Sequence, residues 1–162
     1  DITNSHNGNY QASAVGEVNV VEKMKAINAV IGGEGNGGII YPELHYGRDA
    51  LIGVALFLTQ LAESKISAKE LRNSYPNYFI SKNKIQLTPD IDVDAILSAL
   101  EDKYKNEQIT TIDGLKIDFA EGWVHLRKSN TEPIIRVYSE SNSKINSDKM
   151  AEKFISEIKN LL

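Results

Sequence analysis

The stretch "TIDGLKIDFAEGWVHLRKSNTEPIIRVYSES", residues 111–141, decides the fold of the C-terminal half of this protein. It contains the pair Asp113-Gly114, which favours a tight hairpin turn, between short segments of strand character. Further strands are predicted over residues 123–127 and 134–140, separated by turn-forming residues. Strands that are short and close in sequence commonly pair with their neighbours, so the stretch predicts a small antiparallel sheet.

The segments on either side of this stretch add one strand and two helices. Residues 80–87 have strand character, and residues 90–104 carry an apolar stripe at helical spacing. Residues 147–162 predict a second amphipathic helix. This order indicates an α+β fold in which two helices pack on one face of an antiparallel sheet. We predict that residues 81–162 form one such domain.

The first eighty residues predict only the C-terminal part of a mixed α/β domain. A strand is expected over residues 10–15, a helix over 16–28 and a return strand over 38–41. Asp49 is predicted to cap a helix that ends near residue 64, and this helix is apolar nearly all round, so we expect it to be buried. Ser67 and Glu70 have capping-box spacing and predict the start of another helix. Few strands are predicted for a segment of this length, so residues 1–80 indicate part of a larger domain.

The composition excludes several classes of partner and compartment. The net charge of -4 argues against a nucleic-acid partner, which would favour a basic face. The sequence contains no cysteine, which excludes disulfides and favours a reducing compartment, so a cytoplasmic localisation is expected. The most apolar run, residues 50–62, is too short to span a bilayer, so we expect no membrane partner.

Residues 127–136 gather cations, hydroxyls and an amide around one loop. Arg127 ends one predicted strand and Arg136 lies on the next, so both guanidinium groups can point at one place. Ser129 and Thr131 add hydroxyl donors, and Asn130 can take a left-handed turn that exposes backbone N–H groups. Such a set of donors suits a phosphate dianion. A polar hairpin with two solvated arginines remains an alternative.

The run "GGEGNGG", residues 32–38, is a second candidate binding loop. Glycines allow a ligand to approach the backbone closely, and Glu34 and Asn36 are the two side chains that can recognise it. A carboxylate beside an amide, with no cation in the loop, suits sugar hydroxyls better than phosphate. A flexible hairpin tip is the alternative interpretation.

Three other motifs are interpreted as structural. The segment "DIDVDAILSALE", residues 90–101, matches several calcium-loop positions, but Ala95 stands where that loop needs glycine. Its acids are therefore interpreted as belonging to a helix N-terminus. The "SHN" run at residues 5–7 lies in a polar segment and is interpreted as a loop. His45 and His125 lack partners at metal-ligand spacing, so no metal site is predicted.

These motifs together resemble the C-terminal third of the α-D-phosphohexomutases, a family that includes phosphoglucomutase/phosphomannomutase and phosphoglucosamine mutase. "RKSNTEPIIRVYSE" is similar to the family's phosphate-binding signature in the fourth domain, and "GEGNGG" to the sugar-recognition loop of the third. "AVGEVNVVEKMK" and "DGLKIDF" are similar to further segments of those two domains. The resemblance covers almost the whole chain from Tyr10.

The resemblance implies a four-domain enzyme that interconverts hexose 1-phosphate and hexose 6-phosphate through a bisphosphate. It implies a phosphoserine in the first domain and a Mg²⁺ site in the second, and neither motif stands in this sequence. The chain is therefore expected to be a C-terminal part, with no catalytic residue of its own, that binds a phosphosugar and works with the missing N-terminal domains. A free-standing phosphosugar-binding module and a purely structural α+β protein are the alternatives.

The resemblance also implies roles for individual residues. Glu34 matches the sugar-hydroxyl ligand, whereas Asn36 and Gly38 stand where many members have Ser and His. The residues at these two positions resemble those of the hexosamine-phosphate branch of the family, and they leave the preferred sugar open. Gly16 and Glu17 match a loop near the active centre. The phosphate ligands are implied to be Arg127, Ser129, Asn130, Thr131 and Arg136.

Overall fold

A computed structural model describes residues 1–88, 90–129 and 131–162. The chain divides into two compact units, Asp1–Pro76 and Asn77–Leu162. The sequence placed the division after residue 80, whereas the structure places residues 77–80 in the second unit. The division comes earlier because the first strand of the second unit begins at Phe79 and so contains two of these four residues.

The first unit is mainly helical, and two short strands pair between its helices. Asp49 accepts hydrogen bonds from the backbone N–H groups of Leu51 and Ile52, which confirms the predicted helix cap. The capping box of Ser67 and Glu70 is also confirmed. The elements in chain order are α1 (Ile2–Ser5), α2 (Glu17–Ile27), β1 (Gly32–Gly33), β2 (Ile39–Ile40), α3 (Ala50–Ser64) and α4 (Ala68–Ser74).

Two expectations for the first unit are wrong. Residues 10–15 form neither helix nor strand. The structure describes every residue of α3 and none of them is buried, with Leu51 80% exposed and Phe57 47% exposed. An apolar helix is buried only where another layer covers it, and the small core of this unit is built instead from Val20, Met24 and Ile40.

The second unit is a five-stranded antiparallel sheet with two helices. The elements are β3 (Phe79–Gln86), α5 (Val93–Lys103), β4 (Gln108–Thr110), β5 (Leu115–Phe119), β6 (Gly122–Lys128), β7 (Ile134–Ser141) and α6 (Lys144–Lys159). The strands lie side by side in the order β3-β7-β6-β5-β4, so β3 and β7, the first and last strands of this sheet in the sequence, are neighbours.

Alternation along the strands separates the two faces of this sheet. Leu115, Val124 and Val137 belong to the face that packs against α5 and α6 in one continuous core. Side chains of alternate residues point to the other face, which holds Arg127, Arg136 and the aromatic residues of β6 and β7. The expected antiparallel sheet with two helices on one face is confirmed.

The hairpin between β4 and β5 forms as predicted, and one glycine makes it possible. Gly114 has a φ of 75°, a left-handed conformation that favours glycine. A Cβ atom at this position would collide with the carbonyl oxygen of Leu126. The glycine therefore allows the turn to lie directly against β6.

Asp92 belongs to a helix N-terminus, as expected, whereas Asp90 lies in a turn before that helix. Asp92 caps α5 by accepting hydrogen bonds from the N–H groups of Asp94 and Ala95. No three His, Asp or Glu side chains within the described ranges are grouped so that they could hold a metal ion.

No single helix in the described part of the chain is both long and apolar enough to cross a bilayer. Helices α3 and α4 meet the length and composition test only as a pair, with a bend of 90° between them.

Candidate phosphate and sugar sites

Arg127 and Arg136 are direct partners on adjacent antiparallel strands. The register of β6 and β7 sets Arg127 opposite Arg136, so both side chains belong to the same face of the sheet. That face is the one turned away from α5 and α6. Like charges placed directly opposite each other destabilise a sheet, so an arrangement of this kind needs anionic partners. The two arginines therefore lie on adjacent strands and share one face, as the sequence predicts, and their convergence on a ligand stays a prediction.

Asp113 orients Arg127. Its Oδ2 atom accepts a hydrogen bond from Nη1 of Arg127 at 3.1 Å, and both side chains are about one-quarter exposed. The ring of His125 in turn contacts the carbonyl oxygen of Asp113. His125 is thus a structural residue, as expected. It helps to hold the turn that carries Asp113, the carboxylate partner of Arg127.

Ser129 organises the loop between β6 and β7. Its Oγ atom accepts hydrogen bonds from the backbone N–H groups of Thr131 at 3.4 Å and Glu132 at 3.3 Å. The hydroxyl groups of Ser129 and Thr131 lie 3.5 Å apart. The structure therefore brings these two predicted residues together at the end of the arginine-bearing strands. The third, Asn130, lies outside the described residues.

The second arginine is held only loosely. Nη2 of Arg136 lies 4.0 Å from Oε2 of Glu132, the limit of an ion pair. Lys128, next to Arg127 in the sequence, instead pairs with Asp94 at 2.8 Å. Hydrogen bonding to Asp94 raises the pKa of Lys128. Lys128 therefore serves a contact with the start of α5, and Arg136 is the more available cation.

In the first unit, Glu34 ties the glycine-rich loop to the start of α2. Its Oε1 atom accepts from the N–H of Gly16 at 3.0 Å, and its Oε2 atom accepts from Nδ2 of Asn36 at 3.3 Å. The Oδ1 atom of Asn36 accepts from the N–H of Gly38 at 2.9 Å. The two loops predicted to be functional, residues 16–17 and 32–38, are therefore in direct contact.

Arg48 was missed by the sequence reading. Its Nε atom pairs with Oε2 of Glu17 at 2.7 Å. Both residues line an open cleft of about 540 Å³ together with Asn36, Gly37, Gly38, Asp49 and Ala50. The glycine-rich loop, residues 32–38, contains no cation, but Arg48 brings one into the cleft beside it. In the sequence, the only sign of this cation is a single arginine directly before the helix cap Asp49. The fold brings it beside the glycine-rich loop.

His45 also differs from expectation. Its Nε2 atom lies 3.2 Å from Oδ2 of Asp49, a carboxylate four residues later that the sequence reading overlooked. Hydrogen bonds from the N–H of Ile52 and from His45 lower the pKa of Asp49. The pair stabilises the start of α3, which agrees with a structural role for the histidine.

Two protein-family models match this chain, one over most of each unit. The model of the phosphoglucomutase/phosphomannomutase alpha/beta/alpha domain III matches residues 1–78, and that of the C-terminal domain matches residues 84–157. The chain belongs to the phosphoglucomutase/phosphomannomutase family. The suspected relationship to the phosphohexomutases is therefore confirmed.

Individual members of the family show the same relationship. A phosphoglucosamine/phosphogalactosamine mutase from Sulfurisphaera tokodaii is 35% identical over 91% of this chain and 32% of its own length. A phosphoglucomutase/phosphomannomutase from Thermococcus kodakarensis is 37% identical over 88% of this chain and 31% of its own length. The chain thus spans about one-third of these relatives.

A solved structure supports the fold. A phosphoglucomutase/phosphomannomutase family protein from Burkholderia thailandensis superposes with a TM-score of 0.75, at 24% identity, over 97% of this chain and 34% of its own. This similarity confirms the α+β fold class.

The family resemblance implies a magnesium ion, but the described residues of this chain do not fit one. The acids nearest the two candidate sites are already paired: Asp113 with Arg127, Glu17 with Arg48, and Glu34 with Gly16 and Asn36. A Mg²⁺ site needs oxygen ligands in near-octahedral array, and no such group of acids occurs among the described residues of this chain. The position of the ion outside this chain stays a prediction.

Proposed function

We propose that this chain supplies sugar and phosphate binding to a phosphohexomutase that interconverts hexose 1-phosphate and hexose 6-phosphate through a bisphosphate intermediate. The observation that carries the proposal is the pairing of Arg127 with Arg136 on one sheet face, beside the loop of Ser129 and Thr131. Family membership supports the class of reaction, because the relatives named above are mutases of hexose phosphates.

The phosphate that does not react is the proposed ligand of the second unit. In such a reaction the bisphosphate must be gripped in two orientations, with either phosphate in the idle position. A site built from charge and hydrogen-bond donors accepts a phosphate whichever sugar carbon bears it. Arg127 supplies a fork held in place by Asp113, and Arg136 adds charge from the next strand.

The sugar is the proposed ligand of the first unit. Glu34 and Asn36 offer carboxylate and amide groups whose positions are set by hydrogen bonds to the backbone of Gly16 and Gly38. Such groups recognise hydroxyl or amino substituents of a hexose by accepting and donating hydrogen bonds. Gly16 acts as a positioning residue through its hydrogen bond to Glu34, and Glu17 does so through its ion pair with Arg48.

The reacting groups are proposed to belong to other domains of the same enzyme. When bound there, Mg²⁺ would neutralise charge that develops on the transferring phosphoryl group. Phosphoryl transfer depends chiefly on positioning and electrostatic stabilisation, so a grip on the idle phosphate contributes to rate as well as to affinity. This chain's residues bind and orient the substrate.

Titration with inorganic phosphate tests the phosphate site. We expect the amide resonances of Ser129 and Thr131 to shift before others, with weak affinity because other domains that would enclose the ligand are not in this chain. A charged hydrogen bond contributes roughly 1.5–3 kcal/mol, so Arg127→Ala should weaken binding about tenfold to a hundredfold. Arg127→Lys should recover only part of the loss, because an ammonium group cannot form a two-pronged contact.

Lys128→Met is the control, because Lys128 pairs with Asp94 rather than pointing with the arginines. It should leave phosphate affinity within about twofold, the scale of a surface ion pair. The proposal fails if saturating phosphate leaves Ser129 and Thr131 unmoved while shifting residues elsewhere, since the loop would then be only a polar hairpin.

A further inference from the structure

Lys84 extends the row formed by the two arginines. The register of β3 and β7 sets Lys84 opposite Arg136, which is itself opposite Arg127 on β6. Residues opposite each other in an antiparallel sheet share a face, so three cations cross three adjacent strands in one line. We propose that Lys84 is a third cationic ligand of the phosphate site; this inference rests on the proposed function.

The charges around this row make Lys84 the decisive residue. Arg127 pairs with Asp113, and Arg136 lies at the limit of an ion pair with Glu132. Lys84 is exposed and forms no ion pair with any described residue. Within this row, Arg127 and Arg136 are each offset by one carboxylate, whereas Lys84 carries a positive charge that no ion pair among the described residues offsets.

The chemistry of lysine complements that of the arginines. Adjacent strands lie about 4.8 Å apart, so the Cα atom of Lys84 is roughly 10 Å from that of Arg127 across β7. Its flexible four-carbon stem can carry the ammonium group toward an anion held over Arg136. An ammonium group is a point charge without a fixed fork, so it adapts to a phosphate that arrives in either of two orientations.

The competing explanation for Lys84 is protection of a sheet edge. Strand β3 is an edge strand, and lysines on edge strands discourage pairing with other chains. Lys82 provides the comparison that separates the two roles. It lies two residues earlier, on the same strand and face, in the row of Tyr138, and its Nζ atom lies 5.6 Å from the centre of the Tyr138 ring.

The test is a phosphate titration of wild-type chain, Lys84→Met and Lys82→Met, followed by the amide resonances of Ser129 and Thr131. Methionine keeps an unbranched stem and removes the charge. We expect Lys84→Met to weaken phosphate binding about threefold to tenfold and Lys82→Met to change it less than twofold. Lys84→Arg should retain most of the affinity, and the dependence of binding on salt should be smaller for Lys84→Met than for wild type.

Each outcome of this titration is decisive. Equal affinities for Lys84→Met and Lys82→Met, in a wild-type chain that binds phosphate at the loop, would overturn the role of Lys84 and leave the proposed function intact. A wild-type chain in which phosphate does not shift Ser129 and Thr131 would overturn both. Amide spectra of the variants without phosphate establish that the sheet is unchanged.

Discussion

At the scale of single residues, the phosphate site that we propose places two like charges side by side, which costs stability but favours an anion. Arg127 and Arg136 face each other, and among the described residues their ion-pair partners are Asp113 and Glu132, one for each arginine. A bound dianion would relieve this repulsion, so the same contacts that weaken the sheet would favour a ligand. Phosphate should therefore raise the stability of the second unit as well as occupy the loop.

Asn36 is the residue on which a change of sugar preference is expected to depend. Its side chain both donates to Glu34 and accepts from Gly38, and a serine cannot make both contacts at this reach. In the complete mutase that we propose, Asn36→Ser should change the ratio of kcat/KM between glucosamine and glucose phosphates. A neutral hydrogen bond contributes about 0.5–1.5 kcal/mol, which corresponds to a change of about twofold to tenfold.

Asn160→Ser is the control for this measurement, because Asn160 lies exposed at the C-terminal end of α6. The ratio should stay constant there. Glu34→Ala should reduce turnover of every hexose phosphate, since it also releases Gly16. An unchanged ratio in Asn36→Ser would remove Asn36 from the choice of sugar.

At the scale of elements, three aromatic rings join the helices of the second unit to its sheet. Phe154 of α6 is fully buried and lies 5.1 Å from Tyr104 and 6.1 Å from Phe119, measured between ring centres. Phe154→Ala should reduce the free energy of unfolding by about 3–5 kcal/mol, through lost burial and the cavity that remains.

The single tryptophan, Trp123, allows this to be followed by fluorescence during urea unfolding. Ile145→Ala on the same helix is the control, because Ile145 is 67% exposed. Its effect should stay within about 0.5 kcal/mol. Equal effects of the two substitutions would show that the rings do not form the core of this unit.

Asp148 connects α6 to the edge of the sheet in a pH-dependent manner. It accepts hydrogen bonds from Lys144 at 2.6 Å and from Ser81 of β3 at 2.7 Å, and these lower its pKa. A lowered pKa means that the folded state favours the charged carboxylate. Its contribution to stability is therefore present at neutral pH and is lost as the pH falls through the folded-state pKa.

Asp148→Asn should lower stability at neutral pH and flatten this acid decline, because an amide can still accept from Ser81 but cannot titrate. Unfolding followed by Trp123 between neutral pH and the acid range measures both effects. Glu152→Gln, an exposed position of the same helix, should keep the wild-type slope. A decline in Asp148→Asn as steep as that of wild type would show that other groups cause it.

Elements with a local signal were predictable from the sequence, whereas contacts that depend on register were not. The stripe of α6 and the Asp113-Gly114 turn both show in a few neighbouring residues. The pairing of Asp113 with Arg127, and of Glu17 with Arg48, arises only once separate segments are placed together. The exposure of α3 was not predicted, because an apolar sequence shows that a helix prefers to be buried but not whether another element of the chain packs over it.

At the scale of the whole molecule, binding residues and reacting residues are expected to be separate. The chain spans about one-third of its curated relatives, and its described residues hold no group of acids fit for a metal ion. We therefore predict that this chain alone does not interconvert glucose, mannose or glucosamine 1-phosphate with the corresponding 6-phosphate. Mg²⁺ and a bisphosphate activator should be supplied in that assay.

The phosphoglucomutase/phosphomannomutase of Thermococcus kodakarensis is a suitable positive control, assayed in parallel. Turnover by the chain clearly above a buffer blank would mean that it carries reacting groups of its own. The preferred sugar and the cytoplasmic localisation stay predictions.

The neighbouring positions of β3 and β7 have a consequence for how the second unit is made in the cell. A ribosome must add about 50 residues after β3 before β7 begins, which takes roughly 2–10 s. Helix α6, which packs against both strands, is synthesised later still. The edge of β3 that pairs with β7 therefore stays unpaired during this part of translation. The sheet is completed only after β7 and α6 have left the exit tunnel of the ribosome.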